Sequence, residues 1–203
     1  HSLDKAKYRS ARHEHCQYLR MNKVRQYLAL TWIAFITVLL AACSSTPKKS
    51  PAVQLNPILV KRLNSLQMPN SLAIPVARVQ ARELTDTWGA SRSRGRLHEG
   101  IDIMAPRGTK VFSATEGLIA DLRNNNLGGK VVWILGPSGS WHYYAHLDGH
   151  KRGLKVGDHV KKGQLIGYVG NSGNARHTAP HLHYGIYLQG KGRGVVNPYP
   201  YLR

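Results

Sequence analysis

From residue 80 onward the chain is cut into short segments by turn chemistry, and that punctuation constrains its fold more than any other feature. Pro106-Arg107-Gly108, Asn124-Asn125-Asn126, Gly136-Pro137-Ser138-Gly139 and Asn171-Ser172-Gly173-Asn174 combine residues that pre-set φ, accept a positive φ, or bond to their own backbone. Between them lie segments with strand character: Lys110–Ala114, Gly117–Leu122, Lys130–Leu135, Ser140–Leu147, Gln164–Val169 and His181–Leu188. No stretch after residue 80 keeps a helical apolar period, so an all-β (mainly β) fold is expected. Twenty glycines and ten tyrosines against two phenylalanines fit that class.

Leu154 to Gly167 is punctuated at Gly157-Asp158 and Lys162-Gly163, in a manner similar to the hairpins of lipoyl and biotinyl domains. Those modules carry their cofactor on a turn lysine. The corresponding turn here, Gly170-Asn171-Ser172-Gly173, has none, so the similarity extends to barrel-sandwich architecture only.

The N-terminal part reads as an address. Lys23 and Arg25 precede an apolar stretch, Tyr27 to Leu40, which ends in Leu40-Ala41-Ala42-Cys43 and then turns polar. This resembles the signal peptide and lipobox of bacterial lipoproteins, in which the cysteine is acylated. The expected organisation is an upstream extension (1–20), a signal peptide (21–42), a lipidated Cys43 with a linker (43–73) and a folded domain (74–203). A short helix over Ile58–Leu66 is expected inside the linker, with Pro57 near its start. The alternative, an uncleaved span, is disfavoured because the apolar run falls short of the ~20 residues a helix needs to cross a bilayer. Ser44 after the cysteine resembles an outer-membrane sorting cue, so the expected location is the periplasmic face of a Gram-negative outer membrane. With Cys16 removed and Cys43 lipidated, no disulfide framework is expected.

Charge adds one constraint. The chain holds 29 Lys and Arg against 10 Asp and Glu, and residues 51–203 alone hold 20 against 8. Such a surplus favours an anionic partner. No basic block interleaved with aromatics follows residue 50, so nucleic acid is not an expected partner.

The chemistry lies in three stretches. His98-Glu99-Gly100-Ile101-Asp102 begins like a His-Glu-x-x-His zinc helix, but position 102 is Asp, and Gly100 with two isoleucines disfavours helix. In an extended segment 98, 100 and 102 share a face while Glu99 points away, so Glu99 is rejected as a general base. The same period places His142, Tyr144 and His146 on one face, and His181 and His183 on one face. A lone strand histidine is more often a packing residue than a ligand; several on matching faces in an exported, thiol-free domain favour a metal site. Catalytic zinc takes three protein ligands and keeps one position open. Spacing alone leaves open which of these histidines bind metal.

Taken together, the segments resemble the lysostaphin-like (LytM-type) zinc endopeptidases that cut peptidoglycan. The likeness covers about residues 75–203 and rests on Trp88-Gly89-Ala90, His98-x-x-x-Asp102, Gly108-Thr109, Tyr144-Ala145-His146-Leu147, Gly163 to Gly173, His181-Leu182-His183 and Asn197-Pro198. The resemblance implies one Zn2+ held by His98, Asp102 and His183, with His146 and His181 facing the scissile bond. It implies metal-assisted hydrolysis of peptide cross-links in peptidoglycan, by a monomer held to the membrane through its lipid. Tyr144 and Arg92 are expected to contact substrate. His142, His150, His159 and His177 match no functional position and are expected to be ordinary surface or loop residues. Two other classes remain: a non-catalytic LytM-type wall-binding module that activates a separate amidase, and a polycationic binder of anionic polymer. The five site positions favour the enzyme over the first, and the second rests on charge alone.

Overall fold

The computed structural model describes residues 54–203. The expected extension, signal peptide and Cys43 lie outside the described residues.

Helix α1 (Pro57–Ser65) starts where its sequence directs. The Asn56 side chain accepts from the amides of Ile58 and Leu59 at 3.0 and 3.3 Å, and Pro57 occupies a first-turn position that needs no donor. The helix packs on the turn Pro137–Gly139 and buries Leu63. Leu72 and Ala73 then bond to Tyr201 and Ala114 at 2.7 and 3.0 Å. The chain thus contributes to the folded body upstream of Ile74.

Nine strands follow, and every pairing among them is antiparallel: β1 (Ile101–Met104), β2 (Lys110–Phe112), β3 (Gly117–Asn125), β4 (Gly129–Leu135), β5 (Trp141–His150), β6 (His159–Val160), β7 (Leu165–Val169), β8 (His181–Tyr187) and β9 (Val195–Val196). The sheet runs β1-β8-β5-β4-β3-β6, with β7 joining β2 to β5 and β9 flanking β8. The mainly β expectation is met. All six segments read from the sequence are strands, with ends shifted by up to three residues; β1 begins at Ile101, inside the stretch read as extended from His98, and β6 and β9 come from stretches too short for a period-two signal.

Strand β5 is the hinge of the arrangement. Its first half pairs with β4 and β8, and its end turns to pair with β7. One sheet therefore wraps around a core of Ile101, Ile103, Ile134, Leu147, Leu182 and Ile186. Each such side chain contributes roughly 1.5–3 kcal/mol through burial. Strict alternation then sets the outer face. With Ile101 and Ile103 inside, Asp102 points out; with Leu182 and Tyr184 inside, His183 points out.

Candidate metal centre

Asp102 and His183 stand opposite each other in the β1–β8 register, and His183 stands opposite Ala145 across β5. His98 is placed differently. It lies just before β1, at the end of a small hairpin in which Arg92 N donates to Arg96 O, and its own amide donates to Ala90 O at 2.9 Å. Gly100 lets this segment approach β8: a Cβ there would meet Tyr184 O at 2.5 Å and the His183 ring at 2.8 Å.

Three donor atoms converge. His98 Nε2 lies 2.8 Å from His183 Nδ1 and 3.0 Å from Asp102 Oδ1, and the last two are 3.2 Å apart. Among the described residues this is the only cluster of three such side chains able to hold a metal ion. A tetrahedral ion with bonds of 2.0–2.1 Å separates its ligands by about 3.3–3.4 Å, so the triad needs to open by only a few tenths of an ångström. Two nitrogens and one carboxylate oxygen are also a donor set that zinc accepts.

The surrounding bonds fix the tautomers. His98 Nδ1 donates to Thr87 O at 2.7 Å, which leaves Nε2 as a lone pair facing the cluster. Thr87 also acts through its hydroxyl, which accepts from Asp102 N at 2.9 Å. Burial alone would raise the pKa of Asp102, but its bonds to His183 and His98 more than reverse this and hold the carboxyl well below the usual range. Burial pushes His183 down, toward the neutral form that a metal ligand requires.

His146 and His181 complete the site. Lys130 pairs with Leu147 while Val132 pairs with Tyr144, so a bulge leaves Ala145 and His146 sharing one position on β5. His146 takes φ 61° there, a strained conformation for a residue with a side chain. The bulge turns its ring to the metal face, and Nδ1 bonds Ser172 O at 2.9 Å. His181 Nδ1 bonds Ala179 O at 2.9 Å. Each ring therefore holds its Nε2 free. The two ring centroids are 5.0 Å apart, and His181 Nε2 lies 3.9 Å from Asp102 Oδ1. Burial pushes the pKa of His146 down to about 4, with the Ser172 bond acting in the opposite direction.

The same bulge corrects the sequence-derived face of His142, Tyr144 and His146. Only His146 reaches the site. Tyr144, expected beside the substrate, is fully buried in the core, where its hydroxyl accepts from Ala114 N at 2.9 Å. Its neighbour Tyr143 lines the groove instead. His142, expected on the surface or in a loop, is fully buried, with Nε2 and Nδ1 bonded to Ser140 Oγ and Tyr184 Oη at 3.0 and 2.7 Å. Arg92, expected to contact substrate, lines the groove, where its guanidinium pairs with Asp102 Oδ2 at 2.5 Å.

Nothing in the residue pattern pointed to Thr87, because a single threonine in a loop carries no pattern. A partial sign existed for its support. Asn197 Nδ2 donates to both carboxylate oxygens of Asp86, at 3.2 and 3.0 Å, and so pins the segment that carries Thr87.

All five side chains open into one groove of about 710 Å³. A three-donor cluster beside two imidazoles, on the outer face of a wrapped antiparallel sheet, defines a metallohydrolase-type centre. The sequence profile of peptidase family M23 matches residues 96–198, half of the chain, and the chain belongs to that family. It is 42% identical over 125 residues to the L-Ala–D-Glu endopeptidase of Bacillus subtilis, a match covering 58% of this chain and 38% of that protein. Similarity to the peptidoglycan DD-endopeptidase ShyC of Vibrio cholerae is 37% over 95 residues, 47% of this chain and 21% of the relative. The chain thus spans between a fifth and two fifths of these curated relatives. Among solved structures, the catalytic domain of lysostaphin from Staphylococcus simulans superposes with a TM-score of 0.51 at 27% identity, over 70% of this chain and 95% of that one.

Proposed function

We propose that the chain is a zinc-dependent endopeptidase that hydrolyses peptide cross-links of peptidoglycan. The carrying observation is the cluster of His98 Nε2, Asp102 Oδ1 and His183 Nδ1, mutually 2.8–3.2 Å apart, beside two imidazoles whose Nε2 atoms are unengaged. A zinc ion held by that triad would supply Lewis acidity toward the scissile carbonyl and would lower the pKa of a bound water toward about 7. His146 and His181 supply the rest. Fixed by Ser172 O and Ala179 O, their Nε2 atoms take up the proton of the attacking water, bond to the developing oxyanion and return a proton to the leaving amine. Burial favours the neutral form of His146, as a proton acceptor requires.

The names of the relatives support a peptidoglycan substrate, and they point to different bonds. In a Gram-negative envelope the bond proposed is D-alanine to diaminopimelate. The same reading places the protein at the periplasmic face of the outer membrane, as a monomer held by acyl chains on Cys43. Labelled fatty acid recovered on the chain, and lost in Cys43→Ser, tests the anchor. The activity is tested by incubating the chain with intact sacculi, with and without zinc, and weighing the released muropeptides. Loss of cross-linked dimers only with zinc is expected; unchanged cross-linking with metal fully bound overturns the enzyme reading.

A further inference from the structure

Both imidazoles beside the donor cluster lean on carbonyls of one loop. His146 Nδ1 bonds Ser172 O and His181 Nδ1 bonds Ala179 O, each at 2.9 Å. The loop leaves β7 at Gly170 and enters β8 at His181, and its neck is closed by His181 N donating to Gly170 O at 3.0 Å. A Cβ at Gly170 would meet Asp148 N at 2.4 Å, so the neck lies directly against β5.

The two halves of the loop are held by different side chains. Ser172 anchors the first half itself: its Oγ donates to Leu147 O at 2.7 Å and accepts from Lys130 N at 2.9 Å. The second half depends on Asn171. Its Nδ2 donates to Arg176 O at 3.3 Å and to Thr178 O at 3.2 Å, while its Oδ1 accepts from Arg107. Arg107, between β1 and β2, also pairs with Asp148 Oδ1 on β5 at 2.5 Å. The guanidinium fixes which way the amide points, because the reversed amide would set its NH2 against another donor. Thr178 Oγ1 adds contacts inside the same half, 2.9 Å from Ala175 O and 3.3 Å from Ala179 O. Ala179 precedes Pro180, which confines it to extended backbone. Holding the Thr178 carbonyl therefore sets the direction of Ala179 O as well.

We propose that Asn171, oriented by Arg107, is a positioning residue that aims His181 by way of Ala179 O, while Ser172 separately aims His146. Its weight in turnover rests on the roles given to the two histidines above; its hold on the His181 ring does not. The Arg107 and Asp148 side chains are 52 and 46% exposed, and an ion pair in that setting contributes only about 0–1 kcal/mol to stability. Loss of the brace therefore leaves the fold standing and is read at the histidine.

The test uses the full chain in detergent, loaded with zinc and labelled with nitrogen-15 in its histidines. The ring signals of His146 and His181 are assigned by His146→Gln and His181→Gln, and at alkaline pH each ring is expected to carry its proton on Nδ1. Asn171→Asp keeps the size of the side chain and its Arg107 partner but turns an oxygen toward two carbonyls. It is expected to move His181 to a mixture of the two tautomers and to leave His146 as it was. Ser172→Ala is expected to do the reverse, and Arg107→Gln to reproduce the His181 change in smaller measure. With a soluble cross-linked muropeptide dimer, Asn171→Asp is expected to lose about 10²-fold in kcat, the effect of a displacement of about 1 Å, with KM and zinc content near wild type. A His181 signal unchanged in Asn171→Asp, or His146 and His181 disturbed alike, overturns the proposal. A displaced His181 with kcat equal to wild type overturns its part in turnover. Should Asn171→Asp not fold by circular dichroism, Arg107→Gln decides in its place, and an unchanged His181 there overturns the proposal. If the wild type cuts no dimer, the endopeptidase reading fails by itself, and the ring signals still decide what Asn171 does.

Discussion

Asp102 and His183 face each other across β1 and β8, with Oδ1 and Nδ1 3.2 Å apart. The pleat that puts Ile101, Ile103 and Leu182 into the core is what puts these two donors outside. Slipping β1 by one residue against β8 would turn its faces over, sending Asp102 inward and Ile101 and Ile103 outward, and dismantle the pair. Core packing and this pair of candidate donors are therefore one constraint, while His98 joins them from the segment just before β1.

Unequal roles for the two histidines of β8 follow from their atoms. His183 Nδ1 belongs to the donor triad, while His181 Nδ1 is spent on Ala179 O. His183→Ala is expected to abolish stoichiometric zinc binding, measured by elemental analysis after dialysis. His181→Ala is expected to retain zinc and lose about 10²–10⁴-fold in turnover, the range of a positioned acid or base. Loss of zinc from His181→Ala would show that the two roles are misassigned.

Thr87 supports two donors at once, His98 through its carbonyl and Asp102 through its hydroxyl. Thr87→Val keeps the carbonyl and the shape but leaves the Asp102 amide without its acceptor. Partners behind metal ligands are typically worth 10–100-fold in affinity. A zinc affinity weakened to that extent, measured by chelator competition, is expected with the fold intact. An affinity equal to wild type would remove Thr87 from the account of the site.

How much of this could be read from residues depends on whether the backbone keeps a simple period. Strand alternation placed His181 with His183, but it misplaced Glu99, which precedes β1 and lines the same groove as Asp102 instead of pointing away. It failed on β5, because a bulge is a backbone event with no side-chain signature. Tyr144-Ala145-His146 reads as plain alternation, yet Tyr144 ends in the core and His146 in the groove. The division of donors from catalytic partners came from the family resemblance. Thr87 and the carbonyls of Ser172 and Ala179 act through position alone, and no sequence pattern distinguishes a carbonyl.

The bulge itself is testable. His146 holds φ 61°, where a side chain is strained and glycine is not. His146→Gly relieves that strain and gives up the Ser172 bond, while His146→Ala gives up the bond and keeps the strain. The glycine variant is therefore expected to be more stable than the alanine variant by about 0.5–1 kcal/mol in urea denaturation, with both inactive on sacculi. Equal stability of the two would show that the backbone at 146 is unstrained.

His142 sets the response of the fold to acid. Ser140 Oγ donates to Pro137 O, so it accepts from His142 Nε2–H, and Tyr184 donates to Nδ1. The buried ring is thereby held neutral, and burial pushes its pKa from 6.5 down to about 3. Below 6.5 the unfolded chain binds a proton at this ring that the native state refuses. The depressed pKa therefore gives stability that is fully present above pH 6.5 and is lost as pH falls toward 3, by up to about 1.4 kcal/mol per unit. Between pH 7.5 and pH 5 this one ring accounts for about 2 kcal/mol. His142→Gln retains a donor and an acceptor but does not titrate. Its urea-unfolding free energy is expected to change less between those two pH values than that of wild type, by about that amount. The same drop in both proteins would assign the acid sensitivity to other groups and leave His142 without a part in it.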